Sequence, residues 1–585
     1  MAIKQCVILM PMQQIKTQNS IKTPKERKLF LGLLYWISFF AVFCFILWKC
    51  RYGFANVDEA FYLTVPYRLC RGDNLLLHEW HVSQLSGFLL YPAVRLYLLI
   101  NGSTEGIFLF FRYLFVFVWT TASVFIYIRL RAFSQTGSKL AALALLIYAP
   151  YGIMALSYNS LGIICLLSSC SIIATAKSHL RLSYLFSGLL FAGAVLCCPH
   201  LLILYLGFTI VSVCFMVKHK KGAFLLWLWN SIGCLILLIL FCVFLFSRHA
   251  TLKDILSVLP LILNDPKHTQ PSFFQHLISF FLSIINCNDF SPYCLALLLV
   301  VILFSVLKKE KALCLITTCI LCLIIGLGFY KEIYPNYLMF PIGLVAPFCA
   351  LNCKDEKVRV PFFAIWLPGL IYSMCIFWSS NQRFYAVSNA STVMAVSGIV
   401  ILFAAFPNLV EMKTPVMIKS FVCVITAALL LIMQFTGELY ARYSCVQWES
   451  GGMEAQTVAA DSGAEKGIIM TQPLRDYYYQ MSDDVSYIKN RSKIRKVLFF
   501  SNNTILYIMA ELDMATYSAW LSGVNQNSLD RLDQYYELFP DKRPDGIYVN
   551  TMFEEYIDHF IKQGYRKELL PSGAYFLTKT SDEKE

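Results

Sequence analysis

Long apolar runs separated by short polar segments fill the first three-quarters of this 585-residue chain. The first run, Leu29 to Trp48, is long enough to cross a bilayer and follows a polar, basic tail of residues 1–28. It lacks a small-residue cleavage site, which favours a retained helix over a signal peptide. Further runs lie at residues 106–128, 140–156, 161–176, 184–198, 201–217, 223–246, 293–307, 312–329, 338–352, 361–379, 392–409 and 420–437. The pattern predicts a polytopic α-helical membrane protein with about 13 transmembrane helices, residues 29–437 forming the membrane domain.

Residues 438–585 have a different pattern, in which short apolar runs alternate with helical segments. Strands are predicted at 467–470, 496–500 and 546–549, and a helix at 552–563. A closing hairpin is predicted from Arg566–Leu570 and Ala574–Thr578, which flank a Pro-Ser-Gly turn. This segment is long enough to bury its own core, so we expect a soluble C-terminal α/β domain.

Composition excludes an ordinary soluble protein, because 58% of the residues are hydrophobic and only 15% are charged. The net charge of +13 does not indicate nucleic-acid binding, because residues 438–585 hold 16 Lys and Arg against 22 Asp and Glu, whereas the first 437 hold 33 against 14. Basic residues concentrate in every second loop, with Lys49 and Arg51 as close exceptions. This alternation predicts a plasma-membrane protein with a cytoplasmic N-terminus and an extracytoplasmic C-terminal domain. The 21 cysteines lie mostly in apolar runs, so no disulfide framework is predicted.

Two adjacent carboxylates, Asp58 and Glu59, lie in the first predicted outer loop, residues 50–105. The residues that follow predict a helix from Asp58 to Arg71, closed by Gly72. Both carboxylates then occupy the first turn, where the helix dipole is expected to keep them ionised and usable as bases or metal ligands. The alternative is that they only cap the helix.

Other polar residues fall at the outer ends of the predicted helices, where they could converge over a cavity. The second long outer loop, residues 247–292, has a polar centre at 264–268 and predicts a lid, with Leu277–Ile285 as a helix lying on the membrane. Each basic residue on this side could instead be an interfacial anchor. The candidate substrate-binding residues are Arg112, Tyr158, His200, Arg248, Lys331, Tyr337 and Arg383.

The first loop resembles that of the GT-C glycosyltransferases, which use a polyprenyl-phosphate sugar as donor. The matching residues are Asp58-Glu59-Ala60-Phe61-Tyr62, Gly72-Asp73, an amphipathic surface helix that includes Tyr91 and Arg95, and Arg112 after it. The likeness is greatest to the bacterial aminoarabinose and protein-mannosyl transferase type. The chain departs from that pattern at Ser83–Phe88, where those families often have a basic residue and paired prolines.

The resemblance implies an inverting transfer from a lipid-phosphate sugar to a protein, glycan or lipid acceptor. Asp58 would be the general base, and Glu59 would orient it or join it in holding a divalent cation, Mg or Mn. Some of the outer basic residues would bind the phosphate. Membrane lipids are the other expected partners, and no Gly-rich phosphate loop or Cys/His metal cluster is present in the sequence.

Two other functional classes fit a chain of this shape. A transporter or lipid flippase usually carries ionisable residues or broken helices near the bilayer midplane, whereas the predicted spans here are nearly free of charge away from their ends. A sensor anchored by its spans would need far fewer of them. The transferase is therefore the favoured prediction.

Overall fold

The structure is a computed structural model, and it describes residues 24–55, 57–218, 221–264, 272–308, 310–330, 335–380, 382–409, 417–444, 446, 452–521 and 525–579. Most of the predicted N-terminal tail, the polar centre of the long loop beyond Asn264, and Lys331 lie outside these residues.

Helices dominate the first 444 residues and confirm a multi-pass α-helical membrane protein. Ten helices within the described ranges are long and apolar enough to cross a membrane: Leu29–Lys49, Ile107–Leu130, Tyr158–Thr175, Leu180–Cys197, Pro199–Val217, Gly222–Phe246, Lys311–Phe329, Glu356–Trp378, Thr392–Leu409 and Phe421–Ser444. Two of the other predicted spans coincide with the shorter helical segments Ser291–Leu307 and Tyr337–Asn352, and the span predicted at 140–156 overlaps the helix Gln135–Ile147 only in its first half. The count of thirteen therefore remains a prediction.

The last apolar helix continues to Ser444, beyond the end predicted at residue 437. The apolar run stops at Glu438, but this residue is buried and the helix does not end there. A charged residue thus ended the apolar pattern without ending the helix. In the long loop, the structure has helices Leu252–Leu263 and Phe273–Ile285, the second of which contains the predicted loop helix.

The C-terminal domain contains strands β1 (Val458–Ala459), β2 (Ile469–Met470), β3 (Lys496–Phe500), β4 (Asp513–Met514), β5 (Gly546–Val549), β6 (Tyr565–Leu569) and β7 (Tyr575–Lys579). Five of them form one sheet in the order β4-β3-β5-β7-β6, and β1 pairs with β2. Strand β3 is parallel to β4 and β5, whereas β7 is antiparallel to β5 and β6. The helices of the domain are Gln472–Lys489, Ile505–Ala510, Gln526–Leu538 and Ile557–Lys562. The predicted α/β domain is confirmed, including the closing hairpin of β6 and β7.

The first loop folds as a helix, Asp58–Cys70, followed by the surface helix Gly87–Asn101. The first of these ends at Cys70, and two residues later Gly72 has a φ of 98°, which is readily adopted only by glycine. The loop and the C-terminal domain share one hydrophobic core, in which Trp80 packs against Tyr517 and Tyr535 with ring centroids 5.4 and 5.5 Å apart. The first loop therefore lies between the membrane helices and the C-terminal domain.

A buried ionic network holds these two parts together. The Arg68 guanidinium contacts the Asp73 carboxylate, donates to Glu79 at 3.1 Å and reaches the Thr516 carbonyl, while Lys542 pairs with Asp73 from the C-terminal domain. Burial alone would raise the pKa of Asp73, but the surrounding cations lower it to about 2. The Glu79 carboxylate also accepts from the backbone N–H of Ala519 at 3.0 Å. The network fixes the position of the loop that carries Asp58.

Candidate functional site

A cavity of about 1010 Å³ lies between the membrane helices and the C-terminal domain. Its walls come from the first loop, the ends of several membrane helices, the long-loop helix Leu252–Leu263 and residues 517–520 and 525–531 of the C-terminal domain. The volume is at the upper end of the range of about 300–1,000 Å³ that is typical of small-molecule sites. The predicted site residues that line it are Asp58, Tyr158, His200 and Tyr337.

Asp58 is the first residue of its helix and, among the described residues, the one acidic residue that lines the cavity. Burial raises the pKa of its carboxyl group above the ordinary value of 3.8. Desolvation thus opposes the helix dipole, which was expected to keep this carboxylate ionised. Within the described part of the chain no group donates a hydrogen bond to this carboxylate and no side chain caps the helix, so capping does not account for Asp58. A partly desolvated carboxylate with free lone pairs is suited to accept a proton.

Phenol and amide groups surround Asp58. The rings of Tyr62 and Tyr158 meet edge to face with centroids 5.6 Å apart, and the Asn159 side chain contacts the hydroxyl groups of both. Burial raises the pKa of Tyr62 well above its ordinary value, and the nearby Asp58 charge raises it further. These hydroxyls therefore stay protonated and can donate to, or accept from, the hydroxyl groups of a ligand.

Tyr151 lines the same cavity from a strained turn between the helices Gln135–Ile147 and Tyr158–Thr175. Its φ of 56° is unusual for a residue with a bulky side chain. The Asn389 side chain holds the turn, because its Oδ1 accepts from the Tyr151 N–H at 2.7 Å and from the Tyr148 hydroxyl at 2.9 Å. Arg442 adds a donor to the Gly152 carbonyl at 3.3 Å. Strain held by surrounding contacts at a cavity wall suggests that the position of Tyr151 matters for ligand binding.

Glu59 and Arg112 form a buried ion pair outside the cavity. Arg112 donates to both Glu59 oxygens at 2.6 Å and to the carbonyls of Cys50 and Gly53 at 2.8 Å, and none of its surface is exposed. With its oxygens held by Arg112, Glu59 is unavailable to a metal ion, and Arg112 is unavailable to a phosphate. The structure thus contradicts the predicted metal-binding role of Glu59 and the predicted substrate contact of Arg112.

The remaining predicted residues divide between the cavity and its surroundings. His200 faces Trp378 at a centroid distance of 6.2 Å, and Tyr337 stacks on Phe384 at 5.4 Å. Arg248 donates to the carbonyls of Leu69 and Asp73 at 2.8 and 3.0 Å, away from the cavity lining. Arg383 is exposed and also outside the lining, and Lys331 lies outside the described residues. In the described part of the long loop, Leu259, Ile262 and Leu263 line the cavity and the basic residues do not.

Arg531 is a cavity residue that the sequence pattern did not indicate. It belongs to the helix Gln526–Leu538 of the C-terminal domain, and its guanidinium lies over the rings of Trp80 and Tyr517 at 5.4 and 5.1 Å. It donates to the Leu261 carbonyl at 2.9 Å and so fastens the long loop to the C-terminal domain. It is the permanently charged cation of the lining within the described residues.

Trp520 was missed for the same reason, since it too comes from the C-terminal domain. Its ring stacks on His81 of the first loop with centroids 5.6 Å apart. Both residues line the cavity, so an apolar aromatic face stands among the polar groups.

The described residues do not form a metal site of their own. Within the described ranges, no group of three or more His, Cys, Asp or Glu side chains converges on one point. Asp58 would be left as a lone carboxylate, because Glu59 is paired with Arg112. Divalent cations in proteins need several oxygen ligands. The predicted Asp58–Glu59 cation site therefore does not fit the geometry.

No protein-family model matches the chain, and no curated protein is similar to it in sequence. It is similar to a structure of the Archaeoglobus fulgidus oligosaccharyltransferase tethered to an acceptor peptide, at 11% identity, with a TM-score of 0.46 over 93% of this chain and 74% of that one. A complex of the same oligosaccharyltransferase with zinc and sulfate matches at 12% identity and a TM-score of 0.44 over 90% and 70%. ArnT from Cupriavidus metallidurans bound to undecaprenyl phosphate matches at 12% identity and a TM-score of 0.45 over 94% and 98%. Superpositions this loose do not establish a shared activity, so the function has to be argued from the site.

Proposed function

We propose that this chain is a membrane glycosyltransferase that moves a sugar from a polyprenyl-phosphate donor to a hydroxyl group of a protein, glycan or lipid. The observation that carries the proposal is the placement of Asp58. It is the one carboxylate lining the cavity among the described residues, it accepts no hydrogen bond there, and burial raises its pKa. A general base needs these properties, since its proton affinity must rise towards the working pH.

In the proposed reaction, the acceptor oxygen attacks the anomeric carbon while the bond from that carbon to the phosphate oxygen breaks. Asp58 takes the acceptor proton, and the lipid phosphate leaves with the electron pair. Attack on the face opposite the leaving group inverts the anomeric centre. The donor is already activated, so the protein needs a base, a site for the phosphate and protection from water.

The groups around Asp58 fit a sugar. Tyr62, Tyr158 and Asn159 offer hydroxyl and amide groups to sugar hydroxyls, and Trp520 offers a flat apolar face. Arg531 and His200 are the lining residues placed to bind a phosphate. The sequence resemblance assigned this role to some of Arg112, His200, Arg248, Lys331 and Arg383, and among these His200 lines the cavity. The proposed reaction includes no metal ion, because the carboxylates of the described residues do not supply a set of ligands for one.

We also propose the domain division and topology. Residues 1–28 would be cytoplasmic, 29–437 the membrane domain with loops 50–105 and 247–292 on the outer face, and 438–585 the extracytoplasmic domain of a plasma-membrane protein. The core shared by the first loop and the C-terminal domain supports their placement on one side. Protease added outside intact cells should remove the C-terminal domain, and full protection would contradict this orientation.

The activity is tested with the full chain in proteoliposomes and a panel of radiolabelled polyprenyl-phosphate sugars. We expect wild-type protein to release polyprenyl phosphate from one of them and Asp58→Asn to lose this activity. Asp254→Asn is the matched control, because Asp254 also lies in the first turn of a helix, is partly buried, and does not line the cavity. Equal activity in Asp58→Asn and Asp254→Asn would contradict the proposed role of Asp58, and no turnover of any donor would contradict the transferase.

A further inference from the structure

A second cavity, an apolar groove, lies among four membrane helices, Ile107–Leu130, Tyr158–Thr175, Leu180–Cys197 and Gly222–Phe246, and reaches Leu89 of the surface helix Gly87–Asn101. Its volume is about 600 Å³, and its lining is almost entirely apolar. It is open to the surroundings, because Leu182 and Phe186 on its rim are about half exposed. The groove therefore faces the lipid and is not a sealed packing defect.

One charged residue lines this groove, Arg129. Its Nη2 donates to the Ile172 carbonyl at 3.2 Å, but its Nε is buried and has no hydrogen-bond partner among the described residues. A buried guanidinium N–H without an acceptor is unfavourable, most of all beside hydrocarbon. An anionic ligand in the groove would supply the missing acceptor.

The end of the groove at Arg129 is rich in positive charge. Lys177 and Arg181 flank the turn between Ile172 and Leu182, which both line the groove, and Arg131 follows Arg129 by two residues. All three are exposed. Basic pockets between membrane helices bind the head groups of anionic lipids.

The groove is at least as long as one leaflet of a bilayer is thick, and beyond the membrane helices it reaches Leu89 of the surface helix. On one helix the lining residues extend from Leu182 near the Arg129 end to Gly193, a rise of about 16 Å at 1.5 Å per residue. That is roughly half of the 30 Å hydrocarbon core. An acyl chain entering from the Arg129 end would fill this depth.

The Arg129 end of the groove and the Asp58 cavity lie at opposite ends of the helix Leu180–Cys197. Cys197, at the other end of the same helix, lines the Asp58 cavity, whereas Leu182 lies beside Arg129. The two residues are separated by fifteen helical positions, or about 22 Å. A lipid whose head group sits at Arg129 is therefore distinct from a donor whose phosphate sits near Asp58.

We propose that this groove binds an anionic phospholipid, with its phosphate at Arg129 and an acyl chain along the helices. The phosphate oxygens accept from the Arg129 guanidinium, which binds phosphate well because its N–H groups form a planar fork. The apolar lining excludes a free phosphate ion as the natural occupant, because such an ion would leave the rest of the groove unfilled. This site is independent of the proposed transfer reaction.

The test measures lipid binding to the purified full chain by native mass spectrometry, with palmitoyl-oleoyl phosphatidylglycerol and the phosphatidylcholine of the same chains as probes. Wild-type protein should bind phosphatidylglycerol at least fivefold more tightly. Arg129→Gln should lose this preference, whereas Arg129→Lys should keep most of it. Arg131→Gln, which removes an exposed charge outside the lining, should stay within twofold of wild type.

A variant that fills the groove without changing its charge completes the test. Ser183→Trp keeps Arg129 and should weaken the binding of both lipids at this site, since Ser183 lines the groove. Equal affinity of the wild type for the two lipids, or an equal loss in Arg131→Gln and Arg129→Gln, would overturn the proposal. Displacement of phosphatidylglycerol by a lower concentration of undecaprenyl phosphate would also overturn it, since the groove would then belong to a polyprenyl lipid.

Discussion

The buried pair of Glu59 and Arg112 leads to a prediction that separates a structural role from a substrate-binding one. Replacing Arg112 with Met leaves the Glu59 carboxylate buried without its partner and removes the donor from the carbonyls of Cys50 and Gly53. Breaking one partner of a buried ion pair costs about 3–5 kcal/mol. We expect a loss of stability of that size.

The matched control is Arg71→Met in the same loop. Arg71 pairs with Asp513 at 2.8 Å, but both side chains are about 40% exposed, so its loss should cost no more than about 1 kcal/mol. Unfolding is followed by far-ultraviolet circular dichroism during denaturant titration in mixed micelles. Adding Glu59→Gln to Arg112→Met removes the unpaired charge and should recover about 1–3 kcal/mol. If Arg112→Met unfolds at the same denaturant concentration as Arg71→Met yet no longer binds the donor, the structural assignment of Arg112 is refuted.

Three further predictions follow from the site and from the contacts that hold it. Because burial raises the pKa of Asp58, kcat/KM for transfer should fall as the pH drops through a value above 3.8. This decrease at acid pH should be absent in Asp58→Asn. A decrease that persists in the variant would belong to another titrating group. Asn389→Ala removes the hydrogen-bond acceptor that holds the Tyr151 N–H and should raise KM about tenfold with a smaller change in kcat. An unchanged KM would show that this hydrogen bond is not needed to position Tyr151. Glu79→Gln should weaken the attachment of the C-terminal domain by about 1–3 kcal/mol. Limited proteolysis of this variant should be faster than that of Glu105→Gln, because the ion pair of Glu105 is about half exposed. Equal proteolysis rates would contradict the role of the buried ionic network in holding the domain.

The direction of the pKa shift of Asp58 also affects the stability of the folded protein. A carboxyl group with a raised pKa in the folded protein favours its neutral form there, so its contribution to stability is present at low pH and is lost as the pH rises through the folded value. The uncharged amide in Asp58→Asn does not lose stability as the pH rises. Asp58→Asn should therefore be at least as stable as wild type at pH 7, and any loss of activity in it does not come from unfolding.

The local pattern of apolar and turn-forming residues was sufficient to predict most of the fold. Apolar runs identify helices because every backbone group in a bilayer must be satisfied within its own segment, and the ten long helices coincide with predicted spans. Turn chemistry predicted the hairpin of β6 and β7, where Gly573 adopts a φ of 88°. The last helix runs past the end of the apolar pattern, because Glu438 is buried within a helix that continues to Ser444.

Site residues could be predicted only where they lie close to one another in the sequence. Asp58 and Tyr62 are one helical turn apart, so their common face follows from periodicity. Arg531 reaches the cavity from a helix more than 460 positions away, and no local pattern records such a contact. The pairing of Glu59 with Arg112 depends on burial, which a sequence shows poorly for charged residues at the ends of membrane helices.

The rate of the transfer step in Asp58→Asn protein tests the proposed mechanism most directly. Single-turnover transfer from a saturating polyprenyl-phosphate sugar is measured for wild type, Asp58→Asn and Asp254→Asn, with donor binding measured in parallel. Loss of a general base should slow Asp58→Asn about a hundredfold or more while donor binding stays within a few fold of wild type, and Asp254→Asn should match the wild-type rate. An Asp58→Asn protein that is folded, binds the donor and transfers the sugar at the wild-type rate would contradict the assignment of Asp58 as the base.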